Sequence, residues 1–204
     1  MGREPAPAVL SEPLRLANGP IIKSVTNLGG PPGIESQQDA DSAALQVINI
    51  IKRNNSADAF VIACFSDPGI YAAREVTNRP VFGIAESGIL TALSLGSSIG
   101  ILAILDTSVP RHIRYIRSLG LEKRLAGDLA IGLGVAELSD EKKTFRRLLE
   151  VGKKLRDNCE SSVLIMGCAG MARYRHGLQE SLGIPVVDPS QAAVSMAVSA
   201  VLLN

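Results

Sequence analysis

Two cysteines stand where chemistry is possible. "VIACFSDPG" (61–69) and "VLIMGCAGM" (163–171) are apolar runs that stop at a cysteine and continue into small, turn-forming residues. Sixteen positions separate Cys64 from Pro80-Val81, and seventeen separate Cys168 from Pro185-Val186. The pattern reads as a repeated strand–loop–helix–strand unit. If the two units face one another across a pseudo-twofold axis, the thiols occupy opposite walls of one cleft. A free thiol ionises at about pH 8.5, and a helix N-terminus lowers that value. Each cysteine precedes a predicted helix, so the sequence predicts thiols that exchange protons near neutral pH. A thiolate on one face of a carbon and a thiol on the other would invert a stereocentre, an acid–base task that asks for pKa values close to the working pH.

Alternating short apolar runs and helical patterns position these groups. Strands are predicted at 20–25, 59–64, 80–84, 98–105, 128–134, 162–168 and 184–188. Helices are predicted at 39–53, 69–76, 87–96, 109–120, 139–158, 171–182 and 190–203, with Pro110 in the first turn of one and Gly120 at its stop. The alternation implies an α/β protein with parallel strands covered on both sides, whose ligands bind beyond the carboxyl ends of strands.

The 204 residues carry a formal net charge of +1, 46% hydrophobic and 3% aromatic residues. That balance offers no nucleic-acid or membrane footprint and little for base stacking. Two His and three Cys without a C-x-x-C pair give no metal cluster. Neither G-x-G-x-x-G nor a P-loop occurs, so no nucleotide cofactor is expected. The apolar stretch at 192–204 is too short and too Ser-broken to span a membrane. The odd cysteine count and the lack of a secretory leader point to the cytoplasm. The expected partners are a small-molecule substrate and further copies of the chain, a homo-oligomer.

Taken in order, "GPPGIESQ" (30–37), "CFSDPG" (64–69), "LDTSVPRHIRY" (105–115) and "GCAGM" (167–171) resemble the cofactor-independent aspartate/glutamate racemase superfamily. The branch most similar is that of the hydantoin and allantoin racemases. The resemblance covers roughly residues 12–204. It implies two pseudo-symmetric α/β lobes with the active site in the cleft between them: 1–103 plus 186–204 carrying Cys64, and 104–185 carrying Cys168. It implies that Cys64 and Cys168 are the acid–base pair. Phe65-Ser66-Asp67 replaces the Asn-Thr usual in the amino-acid racemases, which favours a cyclic, weakly charged substrate such as a 5-substituted hydantoin. Family members open with an apolar strand ending in Asn-Pro-Asn, and Met1–Val9 contains none.

Other residues carry two readings each. Phe65, Ser66, Ala169 and Gly170 flank the cysteines, and the last three offer backbone N–H groups in the manner of an oxyanion hole. Thr107 and Ser108 either cap the next helix or bind substrate. Asp67 suits a turn, and Glu86 suits a helix N-terminus. Cys159, His112, His176 and the Lys/Arg of 142–156 fit bystander or solvated positions, and Gly29–Gly33 a loop at the cleft lip. The alternatives to a hydantoin racemase are an Asp/Glu racemase, a maleate-type isomerase, a non-catalytic small-molecule-binding relative, and a thiol redox protein. The last requires Cα atoms within about 7 Å.

Overall fold

A computed structural model describes residues 19–203. The segment before residue 19, including the opening-strand question, lies outside the described residues. In chain order the elements are α1 (Gln37–Arg53), β1 (Phe60–Ile62), α2 (Ile70–Glu75), β2 (Val81–Gly83), α3 (Ile84–Leu95), β3 (Ile99–Ala103), α4 (Val109–Ser118), β4 (Leu125–Ala130), α5 (Glu141–Asp157), β5 (Val163–Met166), α6 (Arg175–Leu182), β6 (Val186–Val187) and α7 (Pro189–Leu203). The expected α/β class is what the chain adopts. All pairings are parallel: β1 with β2 in one sheet, and β4-β3-β5-β6 in another. The larger sheet joins β3 and β6, from the segments assigned to the first lobe, to β4 and β5 from the second.

Period-two alternation builds the larger sheet's two layers. Ile101, Val163 and Ile165 face one core with Ile84, Ile89 and Ala193 of α3 and α7. Their neighbours Leu102, Leu164 and Met166 face another, against Leu148, Leu155 and Leu178 of α5 and α6. A third, smaller core places Ile62 and Val81 of the short sheet against Ile51, Ile70 and Ala73. Central strands buried on both faces read as continuous apolar runs, which is why β3 and β5 stand out in the sequence.

Helix starts follow their caps. Ser36 Oγ accepts from Asp39 N (3.1 Å) and Asp39 Oδ2 accepts from Ser36 N (2.9 Å), a capping box that opens α1 two residues earlier than predicted. Asp140 Oδ1 accepts from Lys143 N at the start of α5. The predicted helix at 171–182 divides into a 3-10 turn, Ala169–Tyr174, and α6. One element differs outright. Residues 20–25 form no strand, and Ile21 and Val25 lie exposed. Their β propensity counts for little without a neighbouring strand to supply a ladder and a buried face.

Both cysteines lie two residues past a strand, Cys64 after β1 and Cys168 after β5. The loop after Cys64 is clamped by Asp67. Its Oδ1 accepts from Ala85 N and its Oδ2 from Glu86 N, both at 2.9 Å, so one buried carboxylate caps α3 from the other strand's loop. Asp67 itself adopts a left-handed φ of 41°. Gly83 makes room for it: a Cβ there would fall 2.1 Å from Asp67 Cγ. Gly167 plays the matching part before Cys168, where a Cβ would meet the Leu102 carbonyl oxygen at 2.7 Å.

Gly83→Ala should therefore destabilise the protein by about 1–3 kcal/mol, as overpacking does. In an Asp67→Ala background, which removes the opposing carboxylate, the same change should cost clearly less. Urea denaturation of the four proteins of that cycle measures the coupling. Burial pushes the Asp67 carboxyl up from 3.8 to about 7 despite its two N–H partners. The folded state then binds the proton more tightly than the unfolded chain, so this group's contribution to stability falls as pH rises through that window. Asp67→Asn should flatten that slope in a pH series of denaturation curves.

Candidate active site

The two thiols are partly accessible and free, as is Cys159. Their electrostatics overturn one expectation. Desolvation pushes Cys64 up from 9.0 to about 12, with the charge of Cys168 the next contribution and that of Asp67 adding to it. Desolvation also raises Cys168, and the Glu35 carboxylate adds to the rise. Both shifts favour the neutral thiol. The helix N-termini invoked from the sequence do not lower them: α2 starts at Ile70, six residues after Cys64, and Cys168 precedes only a 3-10 turn. Burial of an unpaired anion outweighs so weak a dipole.

Opposing these effects is a matched pair of donors. The Ser66 N–H and hydroxyl favour the Cys64 thiolate, and the Gly170 N–H favours that of Cys168. Each donor is two residues past its cysteine. A fixed N–H favours the thiolate over the thiol, and at both sites it comes from a turn that the small residues permit.

The remaining predicted site residues fall around these loops. Phe65 is buried, its ring edge-on to His112 with centroids 5.1 Å apart. Ala169 packs against the core shared by α3 and α7. Thr107 and Ser108 lie in the 3-10 turn before α4 and make no side-chain cap. Thr107 Oγ1 instead donates to the Glu35 carbonyl (3.1 Å), and buried Ser108 Oγ accepts from Arg111 Nη2 (3.3 Å).

Three residues gain a place that the sequence reading did not give them. Glu35 of "GPPGIESQ" ties the chain before α1 to the segments after β3 and β4: its Oε1 accepts from Val135 N at 2.8 Å, while its carbonyl accepts from Thr107 and Arg111. Arg111 is partly desolvated, its pKa lowered by burial, and the largest opposing influence is the charge of Cys64. Its Nη1 donates to the Glu35 and Thr107 carbonyls, and its Nε is buried with no partner among the described residues. His112, expected on a solvated face, is buried at 6% exposure with Nδ1 2.8 Å from Asp128 Oδ2. The Arg-rich face of α4 is only its outer side, and Arg114 and Arg117 remain exposed while His112 points inward. The spacing of Thr107 and Arg111, one helical turn apart, was the available signal for their pairing.

The bystander readings fit where the structure speaks to them. Cys159 packs against the α5–α6 core, His176 is exposed beside Glu180 (3.2 Å), and Lys143, Arg147 and Lys154 pair with Glu137 and Glu150 at the surface. Glu86 lies in the first turn of α3 and pairs with Arg74. A cavity of about 250 Å³ lies behind Phe65 and Ser66, between α1, α3 and α4, with Arg111 and His112 in its wall.

Residues 10–197 match the Asp/Glu/Hydantoin racemase family. The chain belongs to that family. It is 35% identical over 194 residues to a hydantoin racemase of Paenarthrobacter aurescens, covering 93% of this chain and 82% of that one. Among solved structures it is similar to an allantoin racemase from Klebsiella pneumoniae, with TM-score 0.86, 31% identity and coverage of 97% of this chain and 83% of that one. An allantoin racemase from Pseudomonas fluorescens superposes with TM-score 0.89 at 27% identity, covering 97% and 87%. Glutamate racemase and arylmalonate decarboxylase structures, at 18% identity, share the fold. The resemblance seen in the motifs and the expected isomerase class both hold at the level of the family. Among the described residues no helix is long and apolar enough to cross a membrane, and no group of three His, Cys, Asp or Glu could hold a metal ion.

Because both thiols are pushed upward, iodoacetamide, which reacts with the thiolate, should label Cys64 slowly at pH 7 and progressively faster through pH 9 without a plateau. Cys168→Ala removes a like charge, so the Cys64 profile should move to lower pH. Peptide mass spectrometry of each cysteine reads both results, and a plateau below pH 8 would contradict the desolvation argument.

Proposed function

We propose that the protein inverts the C5 stereocentre of a 5-substituted hydantoin or a close cyclic relative, with Cys64 and Cys168 as its two acid–base groups. The observation that carries this reading is the electrostatic pairing of the two thiols. They are near enough for the charge on one to raise the other, and each has an N–H donor from two residues downstream. Such a pair resists double ionisation, so its reactive form is one thiolate and one thiol. That is the state an inversion needs, and by symmetry it serves either enantiomer. The names of the related hydantoin and allantoin racemases support the substrate class.

The steps follow from the residues. The thiolate takes the proton from C5, and the C–H electron pair passes into the adjacent carbonyl as an enolate. The opposite thiol delivers its proton to the other face, and the two cysteines exchange protonation states. The backbone N–H groups of Ser66 and Gly170 favour the two thiolates, and we assign the Ala169 N–H, between Cys168 and Gly170 in sequence, to the substrate oxygen. Thr107 and Ser108 act through Glu35 and Arg111, to which their hydroxyls are already committed. Arg111, opposite in charge to a Cys64 thiolate, stabilises negative charge on that side. The substrate is a small molecule, and we assign the short sheet with Cys64 and the four-stranded sheet with Cys168 to the two walls of its cleft.

Serine has far too high a pKa to act as the base. Cys64→Ser and Cys168→Ser should each lose about 10²–10⁴-fold in racemisation, the worth of one placed proton-transfer group. Each variant should still exchange the C5 proton of one enantiomer with heavy water, and the two should prefer opposite hands. Proton NMR on each pure enantiomer measures this. Equal exchange of both hands by both variants would mean a single base and would defeat the proposal.

A further inference from the structure

We propose that the cavity behind Phe65 is the pocket for the substituent on the inverted carbon, and that it selects a substituent with an apolar stem and a hydrogen-bond-accepting end. This inference rests on the racemase reading above and adds what the substrate must carry. In an inversion through a planar carbanion, the three heavy substituents stay in place while only the proton changes face. One pocket therefore has to receive the side chain of both enantiomers, and it must lie beside the thiols.

The cavity adjoins the Cys64 loop: Phe65 and Ser66, the two residues after Cys64, form part of its wall, and so does Arg111. Its volume of about 250 Å³ is smaller than a site for a whole ligand, typically about 300–1,000 Å³, and suits a side chain. Ala85, Ile89, Ile101 and Ile116 supply apolar walls, all buried to 3% exposure or less. Gln37, Arg111 and Arg114 supply polar ones. Arg111 carries the second half of the argument. Two carbonyls and a hydroxyl already occupy its Nη1 and Nη2, yet its buried Nε–H has no partner among the described residues. A buried donor left unpaired is costly, and an acceptor oxygen on the substituent would satisfy it. Behind this wall, the His112–Asp128 pair and the Phe65 ring hold the cavity's shape.

The test uses 5-methylhydantoin, 5-(3-methylbutyl)hydantoin and its near-isostere 5-(2-carboxyethyl)hydantoin. Calorimetry reads binding and circular dichroism reads inversion, so that occupancy and chemistry are separated. Ala40→Leu adds an isopropyl group to the cavity from α1 and touches neither cysteine. It should weaken binding and lower kcat/KM for both long substituents by about 10–200-fold, the range for a misfit of methylene size. The 5-methyl compound should be unaffected. Ile89→Val, which widens the cavity, should raise the ratio of long to short substituents. In the unsubstituted protein the carboxyethyl compound should bind more tightly than the methylbutyl one. Arg111→Lys, which keeps the charge but lacks the Nε–H, should erase that preference. Equal losses for all three compounds in Ala40→Leu would overturn the pocket, and so would failure of the unsubstituted protein to bind any of them. Tighter binding of the methylbutyl compound would overturn the acceptor. Binding without inversion would break the proposed activity, while the Ala40→Leu affinities would still decide the pocket.

Discussion

A thiolate at Cys168 raises the cost of ionising Cys64. Two acidic groups held within reach of one another in a poorly solvated place titrate as a pair, not as independent groups. The rest of the site answers that constraint. Local N–H groups supply part of the stabilisation that water cannot, the Arg111 guanidinium is coupled to the charge of Cys64, and the Glu35 carboxylate pushes Cys168 further towards its thiol form. Ionisation is thereby kept scarce in the free protein. A substrate whose own polar groups complete the environment would shift it.

The two cysteine loops reach this arrangement by the same local means. Each follows a parallel strand, each places its sulfur two residues beyond the strand end, and each turns back an N–H from two residues further on. Each also depends on a glycine at which a side chain would collide, Gly83 with a carboxylate and Gly167 with a carbonyl. The likeness stops at the clamp. Asp67 caps α3 across the short sheet, whereas Cys168 opens a 3-10 turn that runs straight into α6. The Cys64 loop is thus tied to a neighbouring helix, and the Cys168 loop to its own continuation.

Around the thiols, side chains that would be unremarkable singly form a connected layer. Glu35 joins the start of α1 to the 3-10 turn before α4 and to the loop at Val135. Arg111 crosses the same gap, and His112 on the next position turns inward to Asp128 and the edge of Phe65. Burial pushes Asp128 up and the His112 hydrogen bond opposes it, so the pair stays polar inside an apolar surround. The cavity proposed for the substituent is bounded by this layer, which makes its shape a property of several elements at once.

Much of this was legible before any coordinates. β3 and β5 followed from unbroken apolar runs, the helices from their caps and periodicity, and the place of Cys64 and Cys168 just past strand ends from two like segments about a hundred residues apart. Those features are written locally, because strand and helix periods and turn residues depend on near neighbours in the chain. The sequence misjudged residues 20–25, where propensity had no partner strand, and His112, where a run of arginines masked one inward position. It also misjudged the thiols' ionisation, because a helix start can be read from a few residues whereas desolvation cannot. Glu35, Arg111 and its Nε–H, unpartnered among the described residues, emerged only in three dimensions. Burial and charge–charge distance are set by which distant segments pack together, and no local pattern carries that information.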